Sequence, residues 1–378
     1  MAMLQAMCLV EYGKPMEQRE APMPRPQGAE VLVKLTYSGV CHSDIHFWDG
    51  GFDVGGQKLA ATAQPPCTLG HEMEGVPLEL GPDVPAGAVK MGAHYAIFPW
   101  IGCVVSDKPC HTCKQGKEQL CRSSRSRKFT DGCSGKRLQG GFSSHVLVPH
   151  YRYLVDYQAA GIPEGLGCVY MCSGVSVFSA LRKITPQRLE RGAGKEVLIL
   201  GLGGLGLLGL RMAKALFKAV PLAADIKEEN RKVALEFGSP HVYDPRDKDV
   251  IQKLHMDTSG GVSAVLDLVG SPTSMEFALK TVKPCGGQIV VVGMHGGQLK
   301  MPIPFIPVRE LAIEGSFCGS LADVQDMLQS LQEADLGRIP PVHTMRSIQE
   351  LNEVVHELHS GKLLGRCILR HDWPTPRL

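Results

Sequence analysis

The fold is decided by residues 197–206, which read VLILGLGGLG. The first four form a continuous run of β-branched and aliphatic residues, as expected for a strand buried on both faces of a parallel sheet. The glycines of a GxGxxG pattern follow at Gly201, Gly203 and Gly206, and a helix-compatible stretch runs from Leu207 to Leu216. A strand, a glycine-rich turn and a helix in this order predict a dinucleotide-binding domain.

The glycine loop and an acidic residue beyond it predict the cofactor. Asp225 follows Gly206 by nineteen residues, where a carboxylate accepts hydrogen bonds from ribose hydroxyls and repels a 2′-phosphate. This favours NAD over NADP, and the alternative is that Asp225 only ends a strand. The backbone of the loop and the helix N-terminus are expected to face the pyrophosphate. The predicted loop contacts are Gly201, Gly203, Gly204, Leu205 and Gly206.

Two further runs extend the same pattern. They read VLDLVG at 265–270 and GQIVVVG at 287–293, and both predict strands that end in glycine. Helical periodicity lies between them, around Met275 to Thr281. Alternating strands and helices predict a parallel, doubly wound sheet and therefore an α/β fold for this part of the chain.

Three residues of metal-ligand type stand earlier in the chain, each inside a short signature. Cys41 lies in GVCHSD, His71 in GHE and Cys172 in MCSGV. Two thiolates and one imidazole suit Zn²⁺, and catalytic zinc usually takes three protein ligands and keeps a fourth position open. Either cysteine alone would be interpreted as a buried thiol. The three signatures together predict a catalytic zinc site.

A cluster of cysteines occupies residues 103–121. Four of the 13 cysteines fall in this stretch, at Cys103, Cys110, Cys113 and Cys121. Four thiolates form the closed tetrahedron of a structural zinc site, and in a cytosolic chain clustered cysteines indicate metal rather than disulfides. Six residues separate Cys103 from Cys110.

Taken together, these motifs resemble those of the zinc-dependent alcohol dehydrogenases of the medium-chain dehydrogenase/reductase family. The resemblance rests on GVCHSDIH at 39–46, GHExxG at 70–75, the cysteine cluster and GLGGLG at 201–206, and it runs over nearly the whole chain. It implies that Cys41, His71 and Cys172 hold the catalytic zinc and that Glu72 is a carboxylate able to approach it. It also implies a second, non-catalytic zinc in the cysteine cluster. At the spacing usual in the family the first ligand of that zinc would be Asp107, which competes with Cys103. We favour Cys103 because thiolate is the softer donor.

The same resemblance implies the domain organisation. A GroES-like β-barrel catalytic domain would span residues 1–173, with the structural zinc lobe at about 100–125. A Rossmann NAD-binding domain would span 174–316, and 317–378 would return to the catalytic domain, so that the active site lies between the domains. Alternating residues at 31–38 and 144–149, with glycine and proline recurring from 15 to 109, are typical of such a β barrel.

The GVCHSDIH motif is expected to move the alcohol proton. Ser43 carries a hydroxyl that both donates and accepts, and His46 is of the residue type that titrates near neutral pH. In the family this pair is the proton relay. The resemblance makes Asp44 the carboxylate that holds the His71 imidazole, and it makes His42 a contact of the pyrophosphate. Outside this context Ser43 would be a turn residue and His46 a surface group.

Further contacts with the cofactor are implied by the resemblance alone. Val269, Gly293 and Met294 would line the nicotinamide side, and Arg366 would contact the pyrophosphate. Arg366 by itself could equally be a surface arginine.

The predicted reaction is reversible hydride transfer between a primary alcohol, aliphatic or aromatic, and NAD, with zinc acting on the alcohol oxygen. Trp48 and Trp100 are candidate walls of the substrate pocket, and ordinary core packing is the alternative. Two rival classes are a zinc-free quinone or enoyl reductase of the same superfamily and a non-enzymatic structural or regulatory relative.

Length, composition and charge limit the domain number and the kinds of partner that the chain is expected to have. A chain of 378 residues with 44% hydrophobic residues is expected to form two domains with cores of their own. A formal net charge of +2 gives no electrostatic reason to expect nucleic acid or membrane partners. No apolar run reaches the ~18 residues of a membrane helix, and no signal segment is recognised. We therefore expect a cytoplasmic enzyme. We also expect a small-molecule alcohol or aldehyde as its substrate and a homodimer or homotetramer as its assembly.

Overall fold

The structure, a computed structural model, describes residues 2–60, 64–106, 108–121, 140–184, 195–338 and 341–373. The chain divides into two compact units. Unit 1 comprises Met1–Gly51, Ala60–Cys172 and Ser320–Leu378, and unit 2 comprises Phe52–Leu59 and Ser173–Gly319. Residues 52–59, which the sequence analysis kept within the first domain, therefore group with unit 2.

Unit 2 is built on a parallel sheet that has six strands in the described part of the chain. They are β11 (Glu196–Leu200), β12 (Val220–Ala224), β13 (Val242–Tyr243), β14 (Ala264–Asp267), β15 (Gln288–Val291) and β16 (Ala312–Gly315). Their spatial order is β13-β12-β11-β14-β15-β16, and each neighbouring pair is parallel. This order, third-second-first-fourth-fifth-sixth, is that of doubly wound dinucleotide folds. The predicted α/β fold is confirmed.

Helices alternate with these strands. They span Val175–Arg182, Gly204–Ala215, Glu228–Glu236, Val250–Asp257, Pro272–Thr281 and Phe305–Val308. Leu198 and Leu200, at alternate positions of β11, share one buried apolar cluster with Leu254, Met275 and Phe277 from two of the helices. Each such side chain contributes roughly 1.5–3 kcal/mol when it is fully buried. The continuous apolar strand predicted at 197–200 is therefore the centre of the core of unit 2.

Unit 1 is mainly β structure. Its strands are β1 (Met3–Leu9), β2 (Glu17–Pro22), β3 (Val31–Val40), β6 (Cys67–Thr68), β7 (Glu72–Leu80), β8 (Tyr95–Ile97), β9 (His145–Val148), β10 (Leu154–Val155), β17 (His343–Ser347) and β18 (Arg366–Arg370). One sheet has the order β2-β1-β6, and the other has the order β10-β8-β7-β3-β18-β17 with β9 also paired to β3. Pairing is antiparallel except between β17 and β18. The strands predicted around 31–38 and 144–149 are β3 and β9.

Short helical elements follow the ends of these strands. The α-helices are His42–Trp48, His111–Lys114, Gly167–Val169, Leu321–Glu333 and Leu351–His359, and a π-helix spans Tyr170–Gly174. The 3₁₀ turns are Cys103–Val105, Glu118–Leu120, Tyr151–Tyr153, Gln158–Ala160 and Ile348–Glu350. One helix begins immediately after β3, and the π-helix contains the point, between Cys172 and Ser173, at which the chain passes from unit 1 to unit 2.

A small hairpin of β4 (Gly51–Asp53) and β5 (Lys58–Ala60) completes the strands that the structure describes. Within unit 2 the Gln298 side-chain amide donates to the carbonyl of Gly55 at 3.2 Å. None of the helices among the described residues combines the length and the apolar character needed to cross a membrane.

Candidate functional site

Four buried residues of unit 1 bring their ligand atoms together. These are Cys41, His71, Glu72 and Cys172, whose candidate ligand atoms all lie within 4.8 Å of one another. His71 Nε2 is 3.3 Å from Cys172 Sγ. The three ligands predicted from separate signatures thus converge, and the carboxylate predicted beside them lies in the same group.

The register of two strands explains this convergence. β3 and β7 are antiparallel neighbours in which Gly39 pairs with Glu72. Cys41 follows the end of β3 and His71 precedes the start of β7, so both stand at the same edge of the sheet. Glu72 packs directly on Gly39, because a Cβ there would lie 1.9 Å from Glu72 Oε2. Gly39, in the GVCHSD signature, therefore makes room for the carboxylate of Glu72, in the GHE signature.

Asp44 ties two of the ligands to each other. Its Oδ1 is 3.1 Å from His71 Nδ1, and its Oδ2 accepts the Cys41 amide at 2.9 Å. Oδ1 also accepts the amide of Gly70 at 3.3 Å. With Nδ1 held by a carboxylate, the imidazole presents Nε2 toward the cysteines, which is the orientation that a metal-ligating histidine needs.

The electrostatics of this group favour the thiolate form of Cys41. A hydrogen bond with Cys172 lowers the pKa of Cys41, and the nearby Arg366 guanidinium lowers it further against the opposing effect of burial. For His71, burial opposes protonation, but the Asp44 carboxylate outweighs it and raises the pKa to about 10. Because metal ligands must be deprotonated, a metal that binds here displaces the imidazolium proton.

Arg366 lies inside this site. Its side chain is 5% exposed, its Nη1 donates to the carbonyl of Val40 at 2.9 Å, and its Nη2 is 3.3 Å from Glu72 Oε1. Interpretation as a surface arginine is therefore wrong. Burial raises the pKa of Glu72 to about 7 while Arg366 acts in the opposite direction. The guanidinium offsets the cost of a buried carboxylate, and its predicted contact with the pyrophosphate stays a prediction.

The second cysteine cluster has the dimensions of a tetrahedral thiolate site. Cys103, Cys110, Cys113 and Cys121 lie with their sulfurs within 4.8 Å of one another. Cys121 Sγ is 3.6 Å from Cys103 Sγ and 3.7 Å from Cys110 Sγ. Zn–S bonds of ~2.3 Å in a regular tetrahedron place neighbouring sulfurs roughly 3.8 Å apart, which is close to these two separations. Asp107, the competing ligand, lies outside the described residues.

Local contacts preorganise this lobe. The Thr112 hydroxyl, 3.2 Å from the Cys110 sulfur, lowers the pKa of Cys110 to about 5. The Tyr153 hydroxyl bonds both backbone groups of Gly102, next to Cys103, at 3.2 Å. Gly102 is itself required, because a Cβ there would lie 2.8 Å from Glu118 and 3.0 Å from Cys113 Sγ.

The glycine loop of unit 2 follows β11 and has the backbone approach that its pattern predicts. Gly201 has φ +92°, in the left-handed region that favours glycine. A Cβ on Gly206, in the first turn of the helix, would lie 1.9 Å from the carbonyl oxygen of Gly201, so only glycine fits at this position. A Cβ on Gly203 would meet no atom within 4 Å. Gly203 therefore leaves space before the helix that begins at Gly204, where an anionic group would face the helix N-terminus.

Asp225 is anchored to this loop. Its Oδ2 accepts the Leu202 amide at 2.6 Å and the Asn230 side-chain amide at 3.0 Å. Its Oδ1 accepts the Lys227 amide at 2.7 Å. The half-buried carboxylate thus does more than end a strand, because it connects the end of β12 to the glycine turn.

Sequence reasoning missed Asp267, the buried residue at the end of β14. Its Oδ1 accepts the amides of Val269 and Gly270 at 2.9 and 3.0 Å, and its Oδ2 accepts the Ser274 hydroxyl at 2.8 Å. It therefore holds the turn that carries Val269. The backbone of Gly293 lies against this turn, since a Cβ on Gly270 would be 2.0 Å from the Gly293 carbonyl oxygen. An acidic residue within an otherwise apolar strand was the available signal.

Comparisons with known proteins show the family of this chain. Residues 27–159 match the alcohol dehydrogenase GroES-like domain, and residues 204–333 match the zinc-binding dehydrogenase family. The chain is 33% identical to an NAD-dependent alcohol dehydrogenase of Sulfurisphaera tokodaii over 97% of this chain and 99% of the relative. The chain belongs to the zinc-dependent alcohol dehydrogenases of the medium-chain dehydrogenase/reductase family.

Solved structures show the same fold for this zinc-dependent dehydrogenase. Acetophenone reductase from Geotrichum candidum, solved in complex with NAD, superimposes with a TM-score of 0.80 at 26% identity, over 98% of this chain and 97% of that one. An alcohol dehydrogenase from Aeropyrum pernix gives a TM-score of 0.78 at 25% identity, over 97% and 100%. The GroES-like and Rossmann fold prediction is confirmed.

The remaining predicted residues occupy different surroundings in the dehydrogenase. Ser43 and His46 are half-buried on the helix that follows Cys41, and His42 is exposed there. In unit 2, Met294 is 39% exposed, directly after Gly293.

The two tryptophans differ in their surroundings. The Trp100 ring is buried, with its centroid 6.3 Å from that of His71, which fits a wall of the metal site. Trp48 instead donates from its indole nitrogen to the carbonyl of Lys14 at 2.7 Å and packs edge-on against His359 at 5.7 Å. The alternative of ordinary packing therefore fits Trp48 better.

The Asp44 contacts predict the effect of removing its charge. Asp44→Asn should weaken binding of the catalytic zinc by roughly 10- to 100-fold, because the amide is a poorer acceptor for Nδ1–H of His71. Chelator competition that resolves the two zincs is the measurement. The structural zinc should not change, and Asp49→Asn, an exposed neighbour, is the control. Equal retention of both zincs by Asp44→Asn and the wild type would contradict the role of this contact.

Proposed function

We propose that this chain oxidises primary alcohols, aliphatic or aromatic, reversibly to aldehydes with NAD as the hydride acceptor. The observation that carries the proposal is the buried set of Cys41, His71 and Cys172, with Asp44 behind the imidazole, in the same chain as a complete glycine loop. Three protein ligands of this kind leave a position for substrate. The names of its relatives, which include NAD-dependent alcohol dehydrogenases, support the same reaction.

The two zincs would have different ligands and tasks. Cys41, His71 and Cys172 would hold the catalytic ion, which when bound supplies a Lewis acid for the alcohol oxygen. The four cysteines at 103, 110, 113 and 121 would hold a closed structural ion. Arg366 keeps Glu72 paired inside the site, and Trp100 provides an apolar wall beside His71. Together these groups orient the substrate and exclude water.

The chain's own residues would carry the alcohol proton. Ser43 stands two residues after Cys41 on the helix that begins there, and His46 is one helical turn further on. The Ser43 hydroxyl would accept the proton of the substrate as it donates its own, and His46 would pass it outward. Both side chains are half-buried, so the path would run from the buried site toward water.

The choice of NAD rests on Asp225. Its carboxylate is held in place by three donors, at Leu202, Lys227 and Asn230. A fixed negative charge there accepts ribose hydroxyls and opposes a 2′-phosphate. The reductase from Geotrichum candidum, similar in fold, was solved with NAD, which supports the same preference. Gly203 leaves the space that a pyrophosphate would fill.

The protein is also proposed to form a homodimer or homotetramer. β16 is paired to β15 on one side, and in the residues that the structure covers it has no strand on the other. Beside it in sequence, Ile303 and Val308 are 78% and 77% exposed, and Phe305 and Ile306 are 48% and 44% exposed. A strand edge that pairs with no described strand, with exposed apolar side chains near it in sequence, is suited to a second copy of the same chain.

A metal determination with an activity screen tests the function. Two zincs per chain and faster turnover of primary alcohols with NAD than with NADP are expected. Full activity after removal of the catalytic zinc would instead favour the zinc-free quinone or enoyl reductase. If the wild type prefers NADP, the role given to Asp225 is wrong. No turnover of any alcohol or aldehyde by the two-zinc protein would favour the non-enzymatic alternative.

Sedimentation tests the assembly. Wild-type protein should sediment as a dimer or tetramer, and Val308→Asp should shift it toward monomer because the charge would be buried in the interface. Met256→Asp is the matched control, since Met256 is 70% exposed on another helix of unit 2. Equal masses for all three proteins would show that this surface is not the interface.

The relay predicts a loss of turnover on removal of one hydroxyl. Ser43→Ala should lower kcat by roughly 10²-fold, the effect typical of a positioned proton-transfer group. Ser43→Thr, which keeps a hydroxyl, should retain most of the activity, and His46→Gln should cost less than Ser43→Ala because water can replace the outer group. NAD affinity should be the same in all of them. Kinetics from pH 5 to pH 10 is the measurement, and an unaltered rate and profile in Ser43→Ala would mean that the proton leaves by another route.

A further inference from the structure

A third buried carboxylate, besides Asp44 and Glu72, lies on the strand that follows His71 and has no part in the mechanism above. Glu74 is on β7, three residues after His71, and its side chain is 0% exposed. It occupies an unspecified position of the GHExxG pattern, so the motif gives no reason for a charge there. An ionised carboxylate in the interior is costly unless hydrogen bonds compensate it.

Glu74 has such partners, and the three groups that donate hydrogen bonds to its carboxylate all come from one segment. Its Oε1 accepts the hydroxyl of Tyr157 at 2.5 Å and the amide of Gly165 at 2.8 Å. Its Oε2 accepts the amide of Cys168 at 3.3 Å. His94 is the nearest cationic side-chain type, at 3.9 Å from Oε1. The carboxylate thus binds the turn and the first helical residues of 157–168 to β7.

This segment leads directly to a metal ligand. Cys168 lies in the helix Gly167–Val169, which continues into the π-helix Tyr170–Gly174 that carries Cys172. Cys172 is therefore about one helical turn beyond the amide that Glu74 holds. On the other side, β7 is preceded by His71. The strand β7 therefore follows the ligand His71 directly. Through Glu74, the same strand also fixes the start of the helical segment that carries the ligand Cys172.

Packing around this contact leaves little freedom. The Tyr157 ring lies so close to Gly167 that a Cβ there would be 2.7 Å from the ring carbons. Tyr157 itself is 1% exposed. The hydroxyl, the glycine and the carboxylate therefore define one rigid junction between β7 and the helical segment.

We propose that Glu74 is a positioning residue for the catalytic zinc, which sets the location of Cys172 Sγ relative to His71 Nε2. The proposal rests on the proposed metal site. This role differs from a purely structural one because the segment that Glu74 holds leads to the metal ligand Cys172. A small displacement of that segment would change the geometry of the ligands before it unfolds the domain.

The experiment compares Glu74→Gln with Tyr157→Phe in the two-zinc protein. The amide has one acceptor oxygen and turns N–H toward donors, so Glu74→Gln breaks backbone contacts at Gly165 or Cys168. Tyr157→Phe removes only the hydroxyl and leaves both backbone contacts. Release of each zinc to a chelator, the visible spectrum of protein with Co²⁺ in the catalytic site, and thermal melting are recorded for both. The structural zinc is an internal reference in every sample.

Glu74→Gln should release the catalytic zinc at least tenfold faster than the wild type, shift the thiolate-to-cobalt bands and leave the structural zinc unchanged. Tyr157→Phe should lower the melting temperature with a much smaller effect on the catalytic zinc. If zinc release follows the melting temperature equally in both variants, or if the cobalt spectrum does not move, Glu74 is only structural and the proposal is wrong. Glu74→Asp, which keeps the charge on a shorter side chain, gives the same comparison if Glu74→Gln does not fold. A wild type that holds no catalytic zinc would refute the proposed function instead.

Discussion

The antiparallel pairing of β3 with β7 is the constraint on which the metal site depends. Its register sets Gly39 opposite Glu72, so that the residues just beyond one strand and just before the other meet at a single edge. β18 pairs with β3 on its other side, with Cys367 opposite Val40, and this brings Arg366 to the same edge. A slip of one residue would turn these side chains to the opposite face of the sheet. Backbone pairing therefore specifies the site before any metal binds.

Charge compensation makes this arrangement stable enough to exist in the interior. Asp44 pairs with His71, and Arg366 pairs with Glu72, and all four side chains are no more than 5% exposed. Breaking such a buried pair typically costs about 3–5 kcal/mol, because the remaining charge has lost its counterpart. The pairs also restrict side-chain rotation, so the ligand atoms are held in a converged arrangement.

Much of the architecture could be predicted from the sequence, because its signals are local. The run at 197–200, the loop at 201–206 and the ligand signatures each lie within a few residues, and a parallel sheet follows from their alternation with helices. Contacts between distant segments could not be predicted in this way. Burial of Arg366 depends on β18 lying beside β3, and the grouping of 52–59 with unit 2 depends on contacts such as Gln298 with Gly55. No sequence motif marks Asp267 or Glu74 as important. Their partners are mostly backbone amides, and any residue type can supply a backbone amide.

The two metal sites illustrate different solutions to holding a cation. In the 103–121 lobe four sulfurs come from one short stretch, which short helical turns and the Tyr153 contact at Gly102 support locally. The other site draws its ligands from three distant segments, so its geometry needs the β3–β7 register, Asp44 and the junction at Glu74. In a closed site all four positions of the metal are filled by protein thiolates, so contacts within the lobe are sufficient support for the geometry. An open site needs rigid support, because its missing ligand must be supplied by substrate and not by movement of the protein.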